Sequence, residues 1–294
     1  MQFKHILVIA DPQDKQQMAL AWAKSLANDQ KLKLHVVAFC YEATKGLGKK
    51  LSDEQKQALK KNAISQRAVW LDKTLSKTAL PGTVSSDTVW TRDIGKWVKS
   101  YCESNRCDLI VKTGHRTETM FYTPTDWHVM RNGHSPVLLV AEKRWRRKQT
   151  VMVSLDLGSR SKTKKSLNQT LINAAITMAN EMQLPLHVAY SLPISPMLKD
   201  LGIIDKDKEL AKAHKKLVPK ILDMAGDYAL PEENIHIKVG EPHLVIPSLA
   251  SEFGAALMVI GTVGRKGLKA KLMGNTAEST LSLLKTNVLV LQPD

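Results

Sequence analysis

The sequence predicts an α/β protein made of two copies of one unit, each a five-stranded parallel sheet with helices on both faces. Three observations carry this. Short unbroken apolar runs recur along the chain, and such runs read as strands buried on both sides. They alternate with stretches of helical period, the pattern of a parallel sheet joined by helical crossovers. The whole set then occurs a second time, displaced by about 150 residues.

Each element can be justified in turn. The first strand, Ile6-Leu7-Val8-Ile9-Ala10-Asp11, is answered by Val151-Met152-Val153-Ser154-Leu155-Asp156. A helix over 16–27 follows, apolar at Met18, Trp22 and Leu26, and its counterpart covers 167–182. The second strand, Leu34 to Ala38, matches Leu186 to Tyr190. The third strand is weakly apolar in both copies, over 83–90 and 235–239. The fourth, Asp108-Leu109-Ile110-Val111-Lys112, matches Ala256-Leu257-Met258-Val259-Ile260. The fifth, Val137 to Val140, matches Val288 to Leu291. Crossovers between such strands are right-handed. The 294 residues divide into two domains of ordinary size, expected at 1–145 and 146–294. The run Lys143-Arg144-Trp145-Arg146-Arg147-Lys148 between them reads as a solvated linker, with a contact to nucleic acid or an acidic surface as the alternative.

Composition narrows the class. No apolar run reaches the 18 residues a membrane helix needs. The chain enters its first strand within a few residues of Met1, so no secretory leader is expected and the cytoplasm is the expected compartment. Cys40, Cys102 and Cys107 lack metal-binding spacing and read as free thiols. The net charge of +15 attracts polyanions. No nucleic-acid-binding motif accompanies it, and 5% aromatic residues offer few stacking platforms. His35 and His187 hold equivalent second-strand positions, which favours a shared packing role over metal ligation.

The chemistry concentrates after the fourth strand of the second copy. Gly261-Thr262-Val263-Gly264 is followed, nine residues on, by Gly274-Asn275-Thr276, which opens an amphipathic run over 277–285. Glycines after a buried strand let the backbone approach a ligand, and a helix start presents free N–H groups to an anion. The pattern is neither G-x-x-x-x-G-K-[ST] nor G-x-G-x-x-G. A plain strand–loop–helix connection is the alternative on spacing alone. Asp156 reads either as a ligand contact or as a turn residue at a strand end. No G-x-S-x-G, H-E-x-x-H or C-x-x-C occurs, so no catalytic base is evident and no catalytic or metal residue is assigned.

G-x2-G-x9-G with a following small polar residue, an Asp closing the first strand, and the duplication together resemble the universal stress protein family, in its tandem-domain form. Thr123-Pro124-Thr125-Asp126-Trp127-His128 and Gly274-Asn275-Thr276-Ala277-Glu278 resemble that subgroup in particular. The resemblance implies Rossmann-like, adenine nucleotide alpha hydrolase-like domains of strand order 3-2-1-4-5. A ligand then sits at the switch point between strands 1 and 4, where Asp156 and Gly261 meet. Carried over residue by residue, adenine and ribose contacts fall on Asp156, Val188 and Ala189. Phosphate contacts fall on Gly261, Gly264, Gly274, Asn275 and Thr276, with Lys266, Lys269 and Lys271 in the loop between.

The implied ligand is ATP or a related nucleotide, with Mg²⁺ as an option at Asp156. The implied role is stress and DNA-damage resistance. A slow Mg-dependent hydrolase, or a carrier of a nucleotide-sugar or lipid-precursor ligand, is the alternative. Thr113 and Arg116 stand where the second copy has Gly261 and Gly264, so the first copy is expected to have lost the nucleotide site. Substituting valine for Gly261 or Gly264 is expected to abolish ligand binding with the fold intact, and Thr113→Val to leave affinity unchanged. The resemblance also implies that the fifth strands pair the two copies as an internal pseudo-dimer, with a looser homodimer as an option. No specific nucleic acid and no membrane insertion are expected.

Overall fold

The computed structural model describes residues 3–27, 32–41, 51–115, 124–132, 135–142, 150–159, 161–194, 205–262 and 275–293. The chain divides into two compact units, one formed chiefly by residues 2–115 and 123–142, the other by residues 143–294.

The first unit runs β1 (His5–Ala10), α1 (Met18–Ala27), β2 (Lys33–Cys40), α2 (Asp53–Thr78), β3 (Thr83–Trp90), α3 (Ile94–Asn105), β4 (Leu109–Gly114), α4 (Pro124–Asn132), β5 (Val137–Ala141). The second runs β6 (Thr150–Ser154), α5 (Lys162–Met182), β7 (Leu186–Leu192), α6 (Lys206–Ala225), a 3₁₀ turn, β8 (Ile235–Val239), α7 (Pro242–Glu252), β9 (Ala255–Gly261), α8 (Asn275–Leu283), β10 (Asn287–Leu291). The strand order is β3-β2-β1-β4-β5 in the first and β8-β7-β6-β9-β10 in the second. Both are the expected 3-2-1-4-5, all parallel, with helices on both faces.

Apolar continuity explains the central strands. Ile6, Leu7 and Val8 of β1, and Leu257, Met258 and Val259 of β9, are completely buried. Val153 of β6 pairs with Val188 of β7 on one side and Val259 of β9 on the other. On α1 the expected stripe Met18, Trp22 and Leu26 is buried. The weakly apolar third strand is explained by position. β3 closes the end of its sheet, and its first five residues are exposed.

Helix starts differ from the sequence reading where polar turns hide the period. α5 begins at Lys162, five residues before the expected 167, because its first turn is lysine-rich and carries no apolar repeat. α2 begins at a capping box in which Ser52 Oγ accepts from Gln55 N–H and Gln55 Oε1 accepts from Ser52 N–H.

Candidate functional site

In the second unit a cleft of about 690 Å³ opens beyond the C-terminal ends of β6, β7 and β9. This is the switch point of the sheet, where the crossovers from β6 and β9 leave in opposite directions. Asp156, Gly261 and Thr276 all line it. The walls are largely apolar, including Leu155, Pro193 and Ile246, and hydroxyls come from Ser154, Ser191 and Thr280.

Asp156 is held from two directions. Its main-chain N–H donates to Asn168 Oδ1 at 3.0 Å, and its carbonyl accepts from Asn168 Nδ2 at 2.8 Å. Asn168 is buried on α5, one turn after Lys164. Lys164 Nζ stands 2.7 Å from Asp156 Oδ2. The side chains are 38% and 50% exposed respectively, so this pair is solvated and weak. Burial, with a smaller contribution from the Asp156 charge, pushes the Tyr190 hydroxyl above its ordinary value, so Tyr190 faces the cleft as a neutral donor.

Two expectations change here. Val188 and Ala189 are completely buried inside β7 and do not line the cleft. Tyr190 and Ser191 do, because the pairing of β7 with β6 ends at Ala189 while β7 runs on beside β8. Gly261 is also constrained by packing. A Cβ there would lie 2.8 Å from Leu167 Cδ2 and 2.9 Å from Leu171 Cδ1, so the end of β9 lies directly against α5. The expectation that Gly261→Val spares the fold is therefore withdrawn. Gly264 and Gly274 lie outside the described residues, as do Lys266, Lys269, Lys271, Arg116 and the linker run; Asn275 is described only as the start of α8.

The first unit has a cleft of about 650 Å³ in the equivalent place, lined by Asp11, Lys112 and His115 among others, and its own side chains hold the polar groups beside it. Thr113 Oγ1 donates to the buried Asp14 Oδ2 at 2.6 Å and accepts from Ala19 N–H at 3.1 Å. Asp14 Oδ2 also takes Met18 N–H at 2.6 Å, so the start of α1 is filled by a carboxylate of the chain itself. Behind it Lys112 Nζ pairs with Asp126 at 2.7 Å, with 3% and 0% of the two side chains exposed. At the mouth His115 bridges Asp11 Oδ2 at 3.0 Å and Glu142 Oε1 at 2.6 Å. The Asp11 hydrogen bond chiefly raises the His115 imidazole above its ordinary value, against the opposing effect of burial. Burial pushes the Asp11 carboxyl upward, but His115, the Gln13 N–H and Lys112 outweigh it and hold it at about 2.

Other sequence candidates fall elsewhere. His35 stacks on Tyr101 at 4.5 Å, and its Nδ1 lies 2.9 Å from Ser85 Oγ. His187 Nδ1 lies 2.8 Å from His236 Nε2, beside Phe253. Both second-strand histidines pack in this way. Cys40, Cys102 and Cys107 are buried free thiols. Asn168, Lys164, Tyr190 and Ser191 were missed from the sequence. The available signal was a lone Asn inside the apolar stripe of α5, between Leu167 and Leu171.

The model of the universal stress protein family matches the chain twice, over residues 2–141 and 150–292. The universal stress protein E homolog of Haemophilus influenzae is 29% identical, covering 100% of this chain and 98% of that protein. Universal stress protein E of Escherichia coli K12 is 28% identical, covering 99% and 95%. Among solved structures, a functionally unknown protein from Pseudomonas aeruginosa PAO1 is similar with a TM-score of 0.72 at 25% identity, covering 99% of this chain and 93% of that one. A universal stress protein from Archaeoglobus fulgidus shares the fold with a TM-score of 0.67 at 14% identity, covering 98% and 96%.

Proposed function

The chain belongs to the universal stress protein family, and on that premise we propose that its second unit binds ATP or a related adenine nucleotide. The first unit serves as a companion without a nucleotide site. The observation that carries this reading is the convergence of Asp156, Gly261 and Thr276 on one cleft at the switch point. Asp156 accepts from ribose hydroxyls, Tyr190 and Ser191 border the base, and the start of α8 with the glycines before it receives the phosphates. Asp156 is the sole carboxylate among the described lining residues, a poor set for a protein-held Mg²⁺. Mg²⁺ would therefore enter with the ligand's phosphates.

In the first unit, Asp14 caps the start of α1 with help from Thr113, and His115 holds Asp11, which supports a single site per chain. Among the described residues no helix is long and apolar enough to cross a membrane. We place the protein in the cytoplasm, acting in stress and DNA-damage resistance. The test is mass spectrometry of ligands retained by the purified chain, followed by calorimetry with ATP. An adenine nucleotide at one equivalent, weakened by Asp156→Asn, is expected. Retention of no nucleotide, together with no heat on titrating ATP, overturns the reading. Multiple-turnover phosphate release lost in Asp156→Asn would instead identify a hydrolase.

A further inference from the structure

We propose that Lys164 is an exchange cation that makes the second-unit cleft select phosphorylated ligands over their dephosphorylated counterparts. This rests on the nucleotide reading above and adds to it a specificity-determining residue.

Lys164 and Asp156 are the sole cation and the sole carboxylate among the described residues lining the cleft. They neutralise each other at 2.7 Å. Both are partly solvated, so separating them costs little. A ligand hydroxyl that takes Asp156 must displace the ammonium or share the carboxylate with it. A neutral nucleoside gives the displaced ammonium no counter-charge. A phosphate supplies one within the same cleft, where Gly261 and Thr276 also lie. The exchange therefore favours phosphorylated ligands without any rearrangement of the main chain.

The local charge pattern points the same way. Lys164 sits in the first turn of α5 with Lys162 and Lys165; no acidic residue lies in that turn, and Ser161 makes no side-chain cap. Positive charges at the positive end of a helix are unfavourable until an anion joins them. The two other helices of comparable length, α2 and α6, start differently. α2 begins with Asp53 and Glu54, and α6 is capped by Asp205 and carries Asp207 and Glu209. The first unit cannot perform the exchange. There Asp11 is held by an imidazole that Glu142 grips from the other side.

The test uses the full chain as wild type, Lys164→Gln and Lys164→Arg, titrated calorimetrically with adenosine, ATP and inorganic tripolyphosphate. Lys164→Gln is expected to weaken ATP and tripolyphosphate about five-fold, the loss of one charge-assisted contact. Adenosine affinity should stay level or rise, and Lys164→Arg should restore the wild-type order. Tripolyphosphate that binds wild type and Lys164→Gln equally, or binds neither, overturns the exchange. So does an equal loss for adenosine and ATP. If tripolyphosphate binds through Lys164 while adenosine and ATP do not bind, both the exchange with a ligand hydroxyl at Asp156 and the nucleotide reading fall.

Discussion

Asn168 brackets the main chain of Asp156, accepting from its N–H at 3.0 Å and donating to its carbonyl at 2.8 Å. This joins the end of β6 to the second turn of α5 and aims the carboxylate into the cleft. Replacing Asn168 with leucine keeps the branched shape but leaves two backbone groups unpaired. The expected loss is about 1–3 kcal/mol. Urea unfolding of the full chain checks it, and ligand affinity should fall with it.

Gly261 should tolerate no side chain without adjustment of α5. Gly261→Ala forces Leu167 and Leu171 aside and should cost about 1–3 kcal/mol. Adding Leu167→Ala vacates part of that space. The double variant should be more stable than the sum of the single effects by at least about 0.5 kcal/mol. Strict additivity in a denaturation cycle would show that the contact is not the constraint.

Thr113→Val should leave nucleotide affinity unchanged, yet it should destabilise the first unit. It removes the hydroxyl that donates to the buried Asp14 and accepts from Ala19 N–H. A loss of about 1–3 kcal/mol is expected in thermal or urea unfolding. Full stability in Thr113→Val would mean that Asp14 is satisfied by the Met18 N–H at 2.6 Å and the Gln16 N–H at 3.0 Å alone.

Individual histidines should respond oppositely to pH, His187 and His236 in one direction and His115 in the other. Burial chiefly, then the neighbouring His187, holds His236 at about 4, and burial lowers His187 as well. Their unfolded forms bind protons near the ordinary value of about 6.5, before the folded forms do. Stability should therefore fall as pH drops from about 6.5 toward 4. His115 is raised, so its contribution is complete below about 6.5 and is lost as pH rises through its folded value. Melting curves between pH 4 and 9 should show His236→Phe flattening the acid slope and His115→Gln flattening the alkaline one. Unchanged slopes in both variants would contradict these assignments.

Each fifth strand ends the strand order of its own unit and is almost wholly apolar. Segments 1–145 and 146–294, produced separately, should self-associate, because an uncovered apolar edge invites pairing. Light scattering that finds both as stable monomers would count against pairing through these strands.

Much of this protein was legible from residue order. Buried parallel strands must be apolar on both faces, so β1, β4, β6 and β9 announced themselves as runs. The duplication exposed the unit, and Asp156 and Gly261 could be placed at one switch point because a 3-2-1-4-5 sheet brings strands 1 and 4 together. What residue order could not decide were contacts between side chains far apart in sequence. Asn168 reads as one polar residue in a helix until β6 is laid against it. Gly261 reads as a phosphate glycine until Leu167 and Leu171 are found where its Cβ would be. Asp11, His115 and Glu142 are three scattered residues until the ends of β1, β4 and β5 converge. Periodicity reports which face of an element is buried, whereas a hydrogen bond or a steric limit depends on distances that exist only once the sheet and helices are packed.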